Sequence, residues 1–193
     1  TGDIYVKGKK VAITKPRDAI KNNIAFLTED RKREGLILDA SVKDNLNLAT
    51  IDKDVKGFFL DDKKRTALSK KNIQSYKIKA ASIDTPVGTL SGGNQQKVII
   101  AKWVNTNAEI YIFDEPTRGI DVGAKIEVYH VMNELVKSGK CVIMVSSELP
   151  EILGMSDRVI VMRHGRIMAE IDRHSAHFNQ EDIMRASWGG KLS

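Results

Sequence analysis

The stretch that decides the fold of this chain reads LSGGNQQK and occupies residues 90–97. A serine and two glycines precede the apolar-rich run VIIAKW at residues 98–103, which predicts that a helix begins at about Ser91. A helix start presents backbone N–H groups and the positive end of the helix dipole, and glycines let an anion approach the backbone closely. The Ser91 hydroxyl would add a donor. Taken alone, the stretch is compatible with an anion site or with an ordinary serine cap.

A second stretch, IYIFDEPT, occupies residues 110–117. Its four apolar residues predict a buried strand, and the carboxylates of Asp114 and Glu115 follow at the carboxyl end, where α/β proteins bind ligands. One carboxylate can hold Mg²⁺ through its water shell, while the next polarises an attacking water. The alternative is a solvated strand end with acids near a turn.

Working outward, short continuous apolar runs predict strands at residues 24–27, 110–113, 142–145 and 159–162. A helical pattern between the second and third of these runs is carried by Ile126, Tyr129, Met132, Leu135 and Val136. Strands that are apolar on both faces and alternate with helices predict an α/β fold whose parallel sheet is covered by helices.

The remaining patterns predict peripheral elements. Hairpins are expected from the pairs of runs at residues 4–6 and 11–13, and at residues 159–162 and 166–171. Pro16 and Ser41 mark helix starts, the second helix running through Leu48, and Asn179 marks a last helix through Ala186. The lysine-rich residues 52–82 predict a small subdomain that is helical from about Asp61.

Composition excludes several classes of protein. No apolar run approaches the length of about 20 residues that a membrane span needs. The single cysteine, Cys141, excludes an intrachain disulfide, and its apolar neighbours predict a buried core thiol. The net charge is +6, with 19 Lys and Arg against 11 Asp and Glu in residues 1–80. Because acids are interspersed and no aromatic residues interleave, a solvated helical surface is favoured over a nucleic-acid site.

Together the two stretches resemble the ABC ATPase family. Their order matches its signature motif, then its Walker B strand with the catalytic glutamate, then a D-loop at residues 119–121 and a strand leading to the switch position. The resemblance narrows to the second, C-terminal cassette of the tandem ATPases of ribose-, galactose- and xylose-type sugar importers. The segments that carry it are EDRKREGL at 29–36, LSGGNQQK at 90–97, DEPTRGIDVGAK at 114–125 and VSSELPE at 145–151.

This resemblance spans essentially the whole chain and implies a P-loop NTPase-like fold with a parallel core sheet, an antiparallel β segment and a small helical subdomain. We expect a partial cassette over residues 1–193. The coupling loop, helical subdomain and signature helix would lie within 28–102. The Walker B strand, D-loop, switch strand and C-terminal hairpin and helix would lie within 109–193.

The phosphate-binding string G-x-x-x-x-G-K-[ST] occurs nowhere in the sequence. We therefore expect that the N-terminal strands and P-loop of the cassette are missing from this chain. The intact protein is expected to hydrolyse ATP with Mg²⁺, while the isolated chain is expected to be inactive.

The resemblance also implies roles for individual residues. Glu115 would be catalytic, and Asp114 and Glu29 would hold Mg²⁺ through water. Gly119 and Asp121 would belong to the D-loop, and Ser147 would occupy the switch position. The residues that would complete the ATP site of a partner cassette in trans are Ser91, Gly92, Gly93, Asn94 and Gln95.

Two departures from the family bear on the cassette's own ATP site. The family usually has glutamine near Glu29 and histidine at the position of Ser147. A serine is shorter than a histidine and never cationic, so this cassette's own site would be impaired.

The partners implied are an N-terminal cassette of the same polypeptide, membrane permease subunits and, indirectly, a sugar-binding protein, at the cytoplasmic face of the membrane. Residues 29–48 would face the permease, with Arg31, Lys32 and Arg33 either contacting its acidic loops or solvated. One alternative is a catalytically degenerate regulatory or dimerisation cassette. Another is a non-transport ABC ATPase, which only the basic N-terminal half favours. Which sugar is carried does not follow from the sequence.

Overall fold

The computed structural model describes residues 2–56 and 59–190, which form two compact units, Thr1–Val145 and Ser146–Ser193. The strands of the first unit are β1 Ile4–Val6, β2 Lys9–Val11, β3 Ile24–Leu27, β4 Val55–Lys56, β5 Phe59–Leu60, β6 Ile110–Asp114 and β7 Cys141–Val145. Its helices are α1 Pro16–Lys21, α2 Val42–Asn47, α3 Asp62–Ser75, α4 Gly92–Val104 and α5 Val122–Lys137. Among the described residues, no helix combines the length and apolar character needed to cross a bilayer.

The centre of the first unit is a parallel sheet with the strand order β3-β6-β7. Strand order follows chain order, so right-handed crossovers place α4 and α5 on the same face of the sheet. The residues buried on that face are Ala25, Leu27, Tyr111 and Phe113. The predicted α/β class and the parallel sheet are thereby confirmed.

The exposure of side chains on the opposite face of this sheet contradicts two predictions. Phe26, Ile143 and Val145 point to it, with 43%, 48% and 50% of their surface exposed. The sheet is therefore not covered on both faces within the part of the chain that the structure describes. Cys141 lies at the start of β7 and is exposed, so the prediction of a buried core thiol was wrong. Its apolar neighbours indicated a strand but not which face of the strand is covered.

The second unit contains α6 Leu149–Met155, β8 Arg158–Arg163, β9 Arg166–Asp172 and α7 Gln180–Ser187. The run at residues 159–162 pairs antiparallel with β9, which confirms the predicted hairpin. His164 and Gly165 at its turn both have positive φ, as a two-residue hairpin turn with the right twist requires. The core of this unit consists of Val159, Val161, Ile171, Ile183 and Ala186.

Polar caps fix several helix starts. The Ser41 side chain accepts a hydrogen bond from the Asp44 N–H, and the Asn179 side chain accepts one from the Asp182 N–H, as predicted. The helix after Ser41 becomes a 3₁₀ helix at Leu48–Lys53, so its predicted end was slightly late. The second strand of the first hairpin lies at residues 9–11 rather than 11–13, because the turn holds only two residues.

The starts of α4 and α5 pack closely against each other. A Cβ atom placed on Gly93 would lie 2.6 Å from the Ala124 Cβ, a distance that real side chains do not adopt. Gly93 is itself buried. The glycine is therefore required by the approach of the two helices, because its backbone is helical and needs no positive φ.

We predict that Gly93→Ala lowers the free energy of unfolding by about 1–3 kcal/mol, since the added methyl group forces α4 and α5 apart. Gly154→Ala is the matched control, because Gly154 lies in a helix with open space around its Cα. Alanine has a better helix propensity than glycine, so Gly154→Ala should stabilise the chain by about 0.5–1 kcal/mol. Urea unfolding of both variants makes the comparison, and equal effects would contradict the close contact.

A buried lysine joins α4 to the segment after β3. Lys102 is 5% exposed, and its Nζ donates a hydrogen bond of 2.5 Å to the Gly35 carbonyl. Because burial disfavours the charged form, the pKa of Lys102 is lowered to about 8. At neutral pH the Lys102 side chain therefore stays charged in the interior, although removing the ammonium from water is unfavourable.

This lowered pKa predicts a pH dependence of stability. Between pH 8 and the ordinary lysine pKa of 10.5, the unfolded chain binds the Lys102 proton more than the folded chain does. The free energy of unfolding therefore rises with pH across this window, by at most about 3 kcal/mol from this group. Denaturant titrations of the native chain and of Lys102→Met from pH 7 to 10 should diverge, with Lys63→Met as an exposed-lysine control. Parallel profiles would contradict the assignment.

Candidate functional site

The first part of the site is the start of α4. Ser91 is exposed and has the extended backbone of a helix cap, but its side chain makes no capping bond. Instead, its Oγ accepts a hydrogen bond of 2.9 Å from the Asn94 side-chain amide. The N–H groups of the first helical turn have no partner inside the helix. The serine hydroxyl and these N–H groups therefore lie together at the start of α4.

A cleft of about 300 Å³ lies beside this helix start. Within it Lys97 forms an ion pair with Glu127, and Asp121 caps α5 by accepting a hydrogen bond of 3.0 Å from the Ala124 N–H. The cleft is lined by Lys79, Ser91, Gly93, Asn94, Lys97, Asp121, Gly123, Ala124 and Glu127. The structure thus brings residues of the predicted signature motif and D-loop to one surface.

Gln95 does not face this cleft. It is buried, and its side-chain amide lies within 3.2 Å of the Leu90 carbonyl and 3.3 Å of the Val87 carbonyl. Gln95 therefore holds the 3₁₀ turn Val87–Thr89 in front of α4. Its place in the motif suggested a ligand contact, but the structure gives it a supporting role within the protein.

The second part of the site is the carboxyl end of the parallel sheet. Asp114 ends β6, and Glu115 follows with φ of +46°. A left-handed backbone at a residue other than glycine costs about 1–3 kcal/mol and persists only where the surroundings hold it. Here the Glu115 N–H donates to the Val145 carbonyl at 2.9 Å, and its carbonyl accepts from the Arg118 N–H at 3.1 Å. Both carboxylates are partly exposed.

Glu29 lies near the same end of the sheet, because β3 runs parallel to β6 with Leu27 opposite Phe113. Its carboxylate forms an ion pair with Arg118. Among the described residues, no cluster of three or more His, Cys, Asp and Glu residues could hold a metal ion. Mg²⁺ usually keeps several waters and uses one or two carboxylates together with substrate phosphates. Asp114 and Glu29 lie at the same end of the sheet, and the Glu29 carboxylate is already paired with Arg118.

Sequence reasoning missed the role of Arg31. Its guanidinium donates hydrogen bonds to the carbonyls of Arg118 and Gly119, at 2.8 Å and 3.1 Å. The two partners are 87 and 88 residues away along the chain, so no local pattern could reveal them. The arginine was expected to meet permease loops or solvent, and it instead holds the loop that contains the predicted D-loop glycine.

The predicted switch residue, Ser147, belongs to the second unit and is exposed. The neighbouring Ser146 Oγ accepts a hydrogen bond of 3.0 Å from the Glu148 N–H and also bonds the buried Glu151 carboxylate. Along the chain, Ser147 lies in a bend between the end of β7 and the start of α6.

Known proteins resemble this chain in sequence and in fold. The model of the ABC transporter family matches residues 1–118. The ribose import ATP-binding protein of Streptococcus agalactiae is 49% identical over 191 residues, covering 99% of this chain and 38% of that protein. The xylose import ATP-binding protein of Thermoanaerobacter pseudethanolicus is 50% identical over 190 residues, covering 98% and 37%. The chain therefore spans well under half the length of these relatives.

Two solved structures show the fold independently. A dimeric ATP-binding cassette in a post-hydrolysis state with ADP and phosphate has a TM-score of 0.74 at 19% identity, covering 91% of this chain and 75% of that one. A second cassette of an ABC transporter has a TM-score of 0.75 at 21% identity, covering 96% and 72%. The family match includes the start of α4 and both carboxylates at the end of β6, and on this evidence the chain belongs to the ABC transporter family, with the fold of its ATP-binding cassettes.

Proposed function

We propose that this chain is the ATP-binding part of an importer for a simple sugar, and that the start of α4 completes an ATP site on a partner cassette. The observation that carries the proposal is the exposed helix start at Ser91, which lies on the wall of a cleft of about 300 Å³. The similar proteins whose names specify ribose and xylose import support the sugar class.

The chemistry of this helix start suits a phosphate. Unpaired N–H groups and the dipole of a 13-residue helix favour an anion at Ser91, Gly92 and Gly93. Donors that are fixed before the reaction stabilise negative charge as it develops on a transferring phosphoryl group. The Asn94 side-chain amide donates to Ser91 Oγ, and its Oδ1 accepts a hydrogen bond of 2.8 Å from the Lys79 N–H, so the polar side chains of this surface are kept in place.

The carboxylates of Asp114 and Glu115, at the end of β6, would form part of this cassette's own site. Glu115 would polarise the attacking water, and its left-handed backbone is the kind of strain that persists at functional positions. Asp114 would hold Mg²⁺ through water, and the ion would neutralise charge on the phosphates of ATP. Glu29 is a weaker candidate for this task because it is paired with Arg118.

The partners follow from the same proposal. They are a second cassette of the same polypeptide, membrane permease subunits and a sugar-binding protein, and the chain would work at the cytoplasmic face of the membrane. Residues 29–48 are proposed to face the permease, and Ile37 within them is 52% exposed. An exposed apolar side chain on this segment is compatible with a docking surface.

A regulatory or dimerisation cassette is the second candidate. Two features favour it: Ser147 stands where the family resemblance places the switch histidine, and Glu29 is paired with Arg118. Under this alternative, the start of α4 would still serve the partner's ATP, while Glu115 would contribute no hydrolysis.

The signature role is tested by Ser91→Asp in the intact transporter. Aspartate is a good helix cap, so the fold should be kept or stabilised, but its negative charge opposes a phosphate at the helix start. We expect ATP hydrolysis to fall by about 100-fold or more, since losing one fixed donor already has an effect of this order in other enzymes. Ser75→Asp, on an exposed serine at the end of α3, is the control. Full hydrolysis with Ser91→Asp and an unchanged melting temperature would contradict the proposal. This change is preferable to Gly93→Asp, since Gly93 has no room for a side chain.

Glu115→Gln separates the two candidate functions. Glutamine keeps the size of the side chain and the backbone preference but cannot polarise water as a carboxylate does. If this cassette hydrolyses ATP, the variant should bind ATP without cleaving it. Single-turnover measurements should then find more uncleaved ATP on the variant than on the native transporter. An ATPase rate and a nucleotide content equal to those of the native transporter would favour the regulatory cassette.

A further inference from the structure

The side chain of Arg31 joins parts of the molecule that are distant in sequence. Its two terminal nitrogens donate hydrogen bonds to consecutive carbonyls, those of Arg118 and Gly119, at 2.8 Å and 3.1 Å. A guanidinium presents its N–H groups in a planar fork and is always charged, so it can hold two neighbouring acceptors in one geometry. A lysine ammonium has no such fork.

The same guanidinium touches the start of α4. A Cβ placed on Gly92 would lie 2.9 Å from Arg31 Nη2, and 3.4 Å from the Gly119 carbonyl oxygen. The Arg31 guanidinium, the first residue of α4 and the Gly119 carbonyl therefore lie side by side, and a side chain on Gly92 would displace the guanidinium.

The segment that carries Arg31 is itself firmly held. It forms a π-helical turn at Arg31–Gly35, and the Asp30 carboxylate accepts hydrogen bonds from the N–H groups of Lys32 and Arg33, both at 3.1 Å. The end of the turn is tied to α4, because the Gly35 carbonyl accepts the Lys102 bond. The ion pair between Glu29 and Arg118 adds a second link from this segment to the loop.

We infer that Arg31 is a positioning residue that fixes the start of α4 and the loop at residues 118–121 relative to each other. This inference rests on the proposed function, because the start of α4 is there assigned to the partner's ATP. A shift of the segment after β3 would be passed to Gly92 and to Gly119 at once. Arg31 thereby links the segment proposed to face the permease with the surface proposed to face the nucleotide.

The experiment uses the intact transporter with Arg31→Ala, Arg31→Lys and, as control, Arg17→Ala. Arg17 is an exposed arginine of α1 and lies outside residues 29–48. The first readout is hydrogen exchange of the peptide spanning residues 117–121, measured by mass spectrometry. Both Arg31 variants should exchange faster there, because lysine cannot bridge both carbonyls, and Arg17→Ala should match the native protein.

The second readout is a comparison of kcat and KM for ATP. Misplaced transition-state donors lower kcat, so we expect a loss of about tenfold to a hundredfold in Arg31→Ala with KM nearly unchanged. Arg31→Lys should recover little of it. A residue that merely stabilises the fold would lower the melting temperature without this selective loss in kcat.

Two results would overturn the inference. One is native exchange at residues 117–121 in Arg31→Ala, which would show that the contact does not hold the loop. The other is faster exchange with native kcat while Ser91→Asp still abolishes hydrolysis, which would leave the proposed function intact and remove only the positioning role. If Ser91→Asp were also silent, the proposed function itself would have failed.

Discussion

The close approach of α4 and α5 at Gly93 and Ala124 is the constraint on which the rest of the site depends. Both helices cover the same face of the parallel sheet, so their starts meet where the strands end. This contact places the Ser91 hydroxyl and the capping carboxylate of Asp121 along one cleft. A larger residue at either contact position would push the starts of α4 and α5 apart without replacing any polar group of the site.

Two basic side chains in this region are paired with carboxylates, Lys97 with Glu127 and Arg118 with Glu29. The helix dipole and the backbone N–H groups of α4, together with Lys79 on the wall of the same cleft, are features that favour an anion there. Backbone donors need no proton and no reorganisation when negative charge develops, which suits the proposed phosphate site at the start of α4.

Local patterns predicted the elements of this fold well because the forces behind them are local. Apolar runs gave the parallel strands, and Ser41 and Asn179 gave two helix starts through their side-chain caps. Exposure could not be predicted from the same runs, since it depends on which face the helices cover, as Cys141 shows. The candidate site was recognised by motif resemblance. The inward orientation of Gln95 needed the fold, because it depends on contacts between elements.

The left-handed backbone of Glu115 explains why the loop after β6 needs support from outside itself. The strained residue turns the chain away from the sheet, and its N–H and carbonyl are already used by Val145 and by the Arg118 N–H. The carbonyls of Arg118 and Gly119, which lie further along the same loop, are the ones that Arg31 holds. A turn that costs conformational energy at its first residue is thus stabilised at its far end by a side chain from another segment. A polar network of this kind keeps one geometry where a flexible loop would sample several, and the proposed nucleotide site would require such a single geometry.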